Sequence, residues 1–221
     1  MRKTNGIFIP EQDKSKIWGK NYEIKEYNKL ELHRLSGTVA LDIGAHVGIW
    51  SRRLAVDFFK VIAFEPMQKH IECHKKNCER LGNVQLNEMA LSDSNGSQSM
   101  TTKDNNSGMS TLIDTDLLKW RKPKSHSLVK TQTLDSMNLP KIDFVKIDVE
   151  GWEKQVLEGG KETILKDQPL IYIEIWEKNY ARIRDIMQNE LGYTIQKVSE
   201  INYLCQSPLQ NNHLTFQFTS I

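Results

Sequence analysis

Short apolar runs along this chain end on acids and are followed by stretches with helical spacing. Residues 38–42 form the first such run, ending on Asp42, and a helix is predicted over 48–58. Residues 61–64 form the second, ending on Glu65, with Pro66 opening the next helix. That helix carries Met67, Ile71, His74, Cys78 and Leu81 at steps of four and three, the period of a buried stripe, and Gly82 is its expected C-cap. A third strand follows over 83–93. A fourth ends on Asp148 and a fifth near Glu174, with a short helix to Glu158 between them. A helix over 178–190 stops at Gly192, and strands at 194–199 and 214–218 are expected to make an antiparallel hairpin at one edge.

Strands that alternate with helices define an α/β domain whose parallel sheet is covered on both faces. Residues 1–36 are polar with aromatic points and read as a cap segment, a loop plus a helix over 22–35. Residues 37–221 form the main domain. Within it, 94–126 is rich in Ser, Thr, Asn and Lys and reads as a mobile insert, with a short strand at "SLVKTQTL".

Ligands of such sheets bind beyond the carboxyl ends of the strands, which here carry Asp42, Glu65, Asp148 and Glu174. Gly44 and Gly48 allow a ligand close to the backbone, and the helix that starts there offers unpaired N–H groups. A dinucleotide needs G-x-G-x-x-G to rest its pyrophosphate on that helix, but the pattern here is D-x-G-x-x-x-G, and Asp42 would repel a phosphate. S-adenosylmethionine, with its cationic amino and sulfonium groups, suits the acid better. Glu65, about twenty residues on, stands where an acid accepts both ribose hydroxyls.

The 221 residues carry a net charge of +2, so no strongly basic face suggests nucleic acid. There is no stretch of about 18 apolar residues to span a membrane, and no apolar run after the basic start to make a secretory signal. Three cysteines (Cys73, Cys78, Cys205) form no framework and read as free thiols in a reducing cytoplasm.

"LDIGAHVGIWS", "AFEP", "NEMALSD", "SGMSTL", "TLDS" and "FVKIDVEGWEKQVLEGG" occur in the order found in the FkbM-type family of S-adenosylmethionine-dependent methyltransferases, which the chain resembles over roughly residues 37–180. The resemblance implies a class I methyltransferase (Rossmann-like) fold, with a seven-stranded, mostly parallel sheet and an antiparallel edge strand. It implies O-methylation of a sugar or glycosylated metabolite, hence a small-molecule or glycan acceptor, and leaves a homodimer open. Carried over by position, Asp42, Gly44, Ala45 and Gly48 line the methionine part of the cofactor and Glu65 holds its ribose. Asn87, Ala90 and Leu91 edge the adenine, Asp148 faces the methyl-transfer site, and His46 and Pro66 join the cofactor-binding set.

A sugar hydroxyl is a poor nucleophile, so a general base helps; the candidates are Asp148, Glu150, Glu174 and His46. Clustered carboxylates can hold Mg²⁺, but nothing in their spacing demands a metal. His70, His74 and Cys78 share a helical face, and without a fourth ligand they read as core rather than zinc. "NNSGMSTLID" is a lid or a plain surface excursion, and "LLKWRKPKSH" a solvated charged loop. Trp18, Tyr22 and Trp176 read as core-edge packing before sugar stacking. The competing readings are methylation of RNA ribose or protein, an NAD-dependent oxidoreductase, and a non-catalytic scaffold on a related fold.

Overall fold

The computed structural model describes residues 1–14, 17–35, 38–102, 110–112 and 125–209. The chain opens with a hairpin, β1 (Arg2–Thr4) and β2 (Ile7–Ile9), where a loop was expected. Asn5 and Gly6 between them both have positive φ (45° and 85°), the backbone an Asn-Gly hairpin turn needs. The cap continues into α1 (Ile24–Lys29) and a 3₁₀ turn (Leu32–Arg34).

The main domain then alternates: β3 (Val39–Ile43), α2 (Ile49–Asp57), β4 (Lys60–Phe64), α3 (Gln68–Cys78), β5 (Val84–Asn87). Helix α3 ends at Cys78, and Gly82 lies beyond it outside the left-handed region, so it is not the cap the sequence suggested. The predicted third strand is two, β5 and β6 (Ala90–Leu91). Next come β7 (Gly96–Thr102), β8 (Ser110–Thr111), β9 (Ser125–Gln132), β10 (Phe144–Ile147), α4 (Glu153–Gly159), α5 (Lys161–Asp167), β11 (Leu170–Glu174) and α6 (Glu177–Asp185). Helix α6 runs on into a π-helical turn (Ile186–Glu190), and β12 (Thr194–Lys197) and β13 (Asn202–Gln206) follow.

The large sheet has the order β12-β13-β11-β10-β3-β4-β5. Strands β11, β10, β3, β4 and β5 are mutually parallel, and β13 is antiparallel to both of its neighbours. The antiparallel strand therefore sits one place in from the edge. The partner of β12 in its hairpin is β13; the expected strand at 214–218 lies outside the described residues.

Strand pleating sorts the side chains. Leu41, Ile43, Val145, Ile147, Ile171 and Ile173 face α4, α5 and α6. Ala40, Phe144, Leu170 and Tyr172 face α1 and α2, packing on Tyr27, Trp50 and Leu54. Asp42 and Lys146 stand opposite each other in the β3–β10 ladder, between Leu41 and Ile43 and between Val145 and Ile147, so they point to the α2 side. The hairpin packs Ile7, Ile9 and Trp18 against Val47, Ile49 and Cys73.

The part of 94–126 that is described is ordered strand. β7 pairs antiparallel with β9 from Gly96↔Thr131 to Thr102↔Ser125, and β6, β9, β7 and β8 form a second sheet. Met100, Leu112 and Val129 of this sheet pack with Met67 and Ala90 beside the main sheet. The charged stretch 119–124 and most of the proposed lid lie outside the described residues. No helix among the described residues is long and apolar enough to cross a membrane.

Candidate active site

Chain order reverses between β3 and β10: β3 leads to β4 on one side, and the chain later returns to β10 on the other. A cleft of about 120 Å³ opens at the carboxyl ends of these strands. Its base is Gly44, Ala45 and Lys146. Ala90, Leu91, Met100 and Leu112 form an apolar wall, and Trp18, Tyr22 and Trp50 an aromatic one. Glu23, Glu65, Asp148, Glu150 and Glu174 supply five carboxylates, and His46, Pro66 and His70 complete the rim nearest Glu65.

The two glycines serve the protein's own packing. Gly44 has φ +79°, and a Cβ there would lie 1.8 Å from the Asp148 carbonyl oxygen. Gly44 is thus what lets the ends of β3 and β10 meet. At Gly48 (φ +86°) a Cβ would lie 2.9 Å from the His74 ring and 3.0 Å from Cys78 Sγ, so its bareness seats α2 against α3. Gly48 is not among the residues that line the cleft.

Asp42 is also behind the wall. It is fully buried, accepts a 2.6 Å hydrogen bond from Ser51 Oγ, and stands 3.7 Å from Lys146 Nζ. Ser51 Oγ is 2.9 Å from His74 Nε2, so α2 and α3 both anchor this acid. Asn87 likewise stands outside the cleft, its amide donating to the Ala63 carbonyl. Of the residues singled out from sequence, the structure brings Gly44, Ala45, His46, Glu65, Pro66, Ala90, Leu91, Asp148, Glu150 and Glu174 together around one space.

Sequence reasoning missed Lys146. Its ammonium donates to the Gly44 carbonyl and to Asp148 Oδ2, both at 3.2 Å. Burial pulls its pKa down, but Asp148, Asp42 and Glu23 outweigh that and hold it above the usual lysine value. A lysine inside the apolar run "DFVKID" was the available signal: a buried cation must face acids, and two strand ends supplied them. Glu23, from the cap segment, was missed for want of any local signal.

Glu65 is held on every side. Oε2 accepts from the His46 amide (2.9 Å), and Oε1 from the Met67 amide (2.8 Å) and His70 Nδ1 (3.1 Å). Burial raises its pKa, but the charge and hydrogen bond of His70 and the two amides bring it below the usual carboxylate value. The other carboxylates are less well met. Burial, then the Asp148 charge, pushes Glu174 up to about 8, and Glu23 is raised by the same causes in the same order. His46 sits against Trp18 and His70 with ring centroids 4.8 and 4.5 Å away. Burial first, then the charges of His70 and Lys146, hold its pKa well below the usual value, so it is neutral and a weak base.

Single carboxylate oxygens of Asp148, Glu150 and Glu174 lie within 4.8 Å of one another, a spacing that could hold a cation and is also common without one. His70, His74 and Cys78 do not converge: they are buried beside Glu65, Ser51 and the Gly48 carbonyl respectively. Trp176 stands behind Glu174, donating its indole N–H to it at 3.2 Å, while Trp18 and Tyr22 reach the cleft.

A sheet of this order, with its glycine turn after β3 and an acid at the end of β4, is the class I methyltransferase fold. The model of the Methyltransferase FkbM domain family matches residues 42–195, and the chain belongs to that family. A 2-O-methyltransferase, NoeI of Sinorhizobium fredii, is 30% identical over 160 residues, and the match spans 62% of each chain. Among solved structures, a methyltransferase FkbM from Methylobacillus flagellatus superposes with a TM-score of 0.58 at 14% identity. That match covers 76% of this chain and 43% of the other. A Streptococcus mutans protein, described as a methyltransferase and solved with S-adenosylhomocysteine, superposes with a TM-score of 0.50 at 12% identity, covering 82% and 96%.

The cofactor that goes with this family is S-adenosylmethionine, and the donor set fits it. Glu65 would accept from ribose hydroxyls, the apolar wall would take adenine, and the remaining carboxylates would meet the cationic groups.

Proposed function

We propose that this chain methylates a hydroxyl oxygen of a sugar or sugar-bearing small molecule, with Glu174 as the proton acceptor. The observation that carries the reading is Glu174 itself: a cleft carboxylate whose pKa, about 8, is matched to taking a proton near neutral pH. S-adenosylmethionine supplies an electrophilic methyl when bound. The rest is the protein's task. Glu65 and the apolar wall fix the cofactor, which supplies much of the rate by alignment. Asp148, paired with Lys146 at 3.2 Å, orients groups at the transfer point. Glu174 receives the acceptor hydroxyl's proton; the cofactor, when bound, would give up its methyl to that oxygen and keep the S–C bonding pair as a neutral thioether. His46, neutral and weakly basic, packs beside the ribose-binding acid rather than serving as the base.

The relative whose name carries 2-O-methylation supports oxygen as the target atom. Carboxylates, as pure acceptors, suit a polyhydroxylated ligand. Among the described residues the cleft holds one lysine and no arginine, and that lysine is bound by two carboxylates and a carbonyl, which speaks against an RNA phosphate backbone. Three buried free thiols agree with a reducing, cytoplasmic setting.

The test is methyl transfer from labelled S-adenosylmethionine to a panel of monosaccharides, oligosaccharides and glycosides. Label in an alkali-stable ether on a sugar is the expected result. Label only in protein or RNA would overturn the acceptor class.

A further inference from the structure

We infer that Glu23, with the aromatic wall of Trp18, Tyr22 and Trp50, forms a cation subsite for the α-ammonium of the cofactor's amino-acid end. This rests on the cofactor assignment above and extends the site beyond the part of the chain that the family model covers, which begins at residue 42.

Glu23 is delivered to the cleft by a strained and clamped backbone. It caps α1 with φ 54°, in the left-handed region. For a residue with a Cβ this costs about 1–2 kcal/mol, and such strain persists where the surroundings enforce it, often at functional sites. Here Arg53 enforces it, its guanidinium donating to the carbonyls of Lys20 and Tyr22. The side chain is then fixed by Trp50, whose indole N–H donates to Oε2 at 2.7 Å. The Tyr22 hydroxyl hydrogen-bonds the same carboxylate. With about four acceptor positions, the carboxylate keeps capacity for a ligand beside these two partners.

The cations closest to Glu23 in electrostatic influence are committed elsewhere. Lys146 is bound to Asp148, Asp42 and the Gly44 carbonyl. Arg53 is bound to the two backbone carbonyls just named. Glu23 makes no ion pair within 4 Å among the described residues, although Asp148 acts on it across the cleft. Tyr22 and Trp50, both hydrogen-bonded to Glu23, add aromatic faces that attract a cation. Trp18 and Tyr22 meet at 4.7 Å between centroids, and both line the cleft with Trp50. Aromatic rings beside a carboxylate are the composition that recognises ammonium groups. Of the cofactor's two cationic centres, the ammonium has N–H donors for a carboxylate to accept from, and the sulfonium has none.

The experiment is calorimetric binding of S-adenosylhomocysteine and of 5′-methylthioadenosine to wild type, Glu23→Gln and Trp50→Phe, with thermal unfolding of each. The first ligand keeps the ammonium; the second keeps the nucleoside and sulfur but lacks the amino-acid end. Glu23→Gln is expected to weaken S-adenosylhomocysteine about tenfold or more, the size of a lost charge-assisted hydrogen bond, and to leave 5′-methylthioadenosine within about twofold. Trp50→Phe keeps a ring but removes one of the hydrogen bonds that hold Glu23, and is expected to show a smaller loss confined to the same ligand. It also reads the proposal if Glu23→Gln does not fold. Unchanged affinity for S-adenosylhomocysteine, or equal loss of both ligands, would overturn the subsite. A folded wild type that binds neither ligand would overturn the cofactor assignment itself, and the subsite with it.

Discussion

The two sides of the cleft handle negative charge in opposite ways. On the β4 side, Glu65 is met by two backbone amides and His70, and its charge is stabilised. On the β10–β11 side, Asp148 takes the one lysine, and the indole bonds that Glu174 and Glu23 accept are outweighed by burial and a like charge. A satisfied carboxylate is a good fixed acceptor and a poor base. A buried one beside a like charge holds its proton more tightly and is the better base. On the proposed function, the contrast separates holding from chemistry, and both sides hang on one seam, where Gly44 meets the Asp148 carbonyl.

The contrast is broken most severely at Glu174. Glu174→Gln is expected to lower kcat by about 10²-fold or more, the usual worth of a positioned base, with S-adenosylhomocysteine affinity unchanged by calorimetry. Equal turnover in the variant would remove Glu174 from the mechanism. The seam comes next. Gly44→Ala places a methyl group against the Asp148 carbonyl at a left-handed φ, and a stability loss of about 3 kcal/mol is expected from urea unfolding. A loss under about 1 kcal/mol would mean the strand ends can part freely.

Glu65→Ala tests the holding side. It is expected to weaken S-adenosylhomocysteine and adenosine alike, by about ten- to a hundredfold, because hydrogen bonds to a charged acceptor are lost. A loss for one ligand alone would move the ribose elsewhere. The pH dependence sharpens the comparison further. The base form of Glu174 exists above about 8, so kcat should rise with pH and level off near there, and the Glu174→Gln profile should lack that limb. Stability runs the other way. Folded Glu174 keeps its proton between the ordinary carboxylate pKa and about 8, where the unfolded chain has released it, so this group's contribution falls as pH rises through that window. Glu174→Gln should therefore gain Tm relative to wild type at pH 9 and not at pH 4; the reverse order would reject the raised pKa. The smallest effect is expected from metal. EDTA should leave S-adenosylhomocysteine binding unchanged within about twofold, since the acids are read as serving the organic ligands; a larger drop would assign Asp148, Glu150 and Glu174 to a cation.

Strands β3, β4, β10 and β11 were legible because each is a short apolar run closed by an acid, and three of those acids line the cleft. Asp42, Glu65, Asp148 and Glu174 could be placed at strand ends from spacing alone. Which of them face a ligand could not, because that depends on what fills the space behind each one. Asp42 is taken by Ser51 and Lys146, contacts that join β3 to α2 and β10. β13 was overlooked because "NYLCQ" is buried throughout and shows no alternation. The opening hairpin was overlooked although Asn5-Gly6 marks it, because three-residue strands give little period to read. Glu23 enters the site only through the folding-back of a segment whose own sequence says nothing of where it lands.

Asn77 on α3 has a consequence for solubility. Its amide accepts from the Phe8 N–H at 2.7 Å and donates to the Phe8 carbonyl at 2.8 Å and to Val47 O at 2.8 Å. To β2 this side chain presents what a neighbouring strand would present, one acceptor and one donor in register. An open strand edge is a template on which another chain can grow a sheet. Asn77 occupies that template at Phe8, so the outer edge of β2 is closed there by a side chain and the hairpin ends as a two-stranded ribbon.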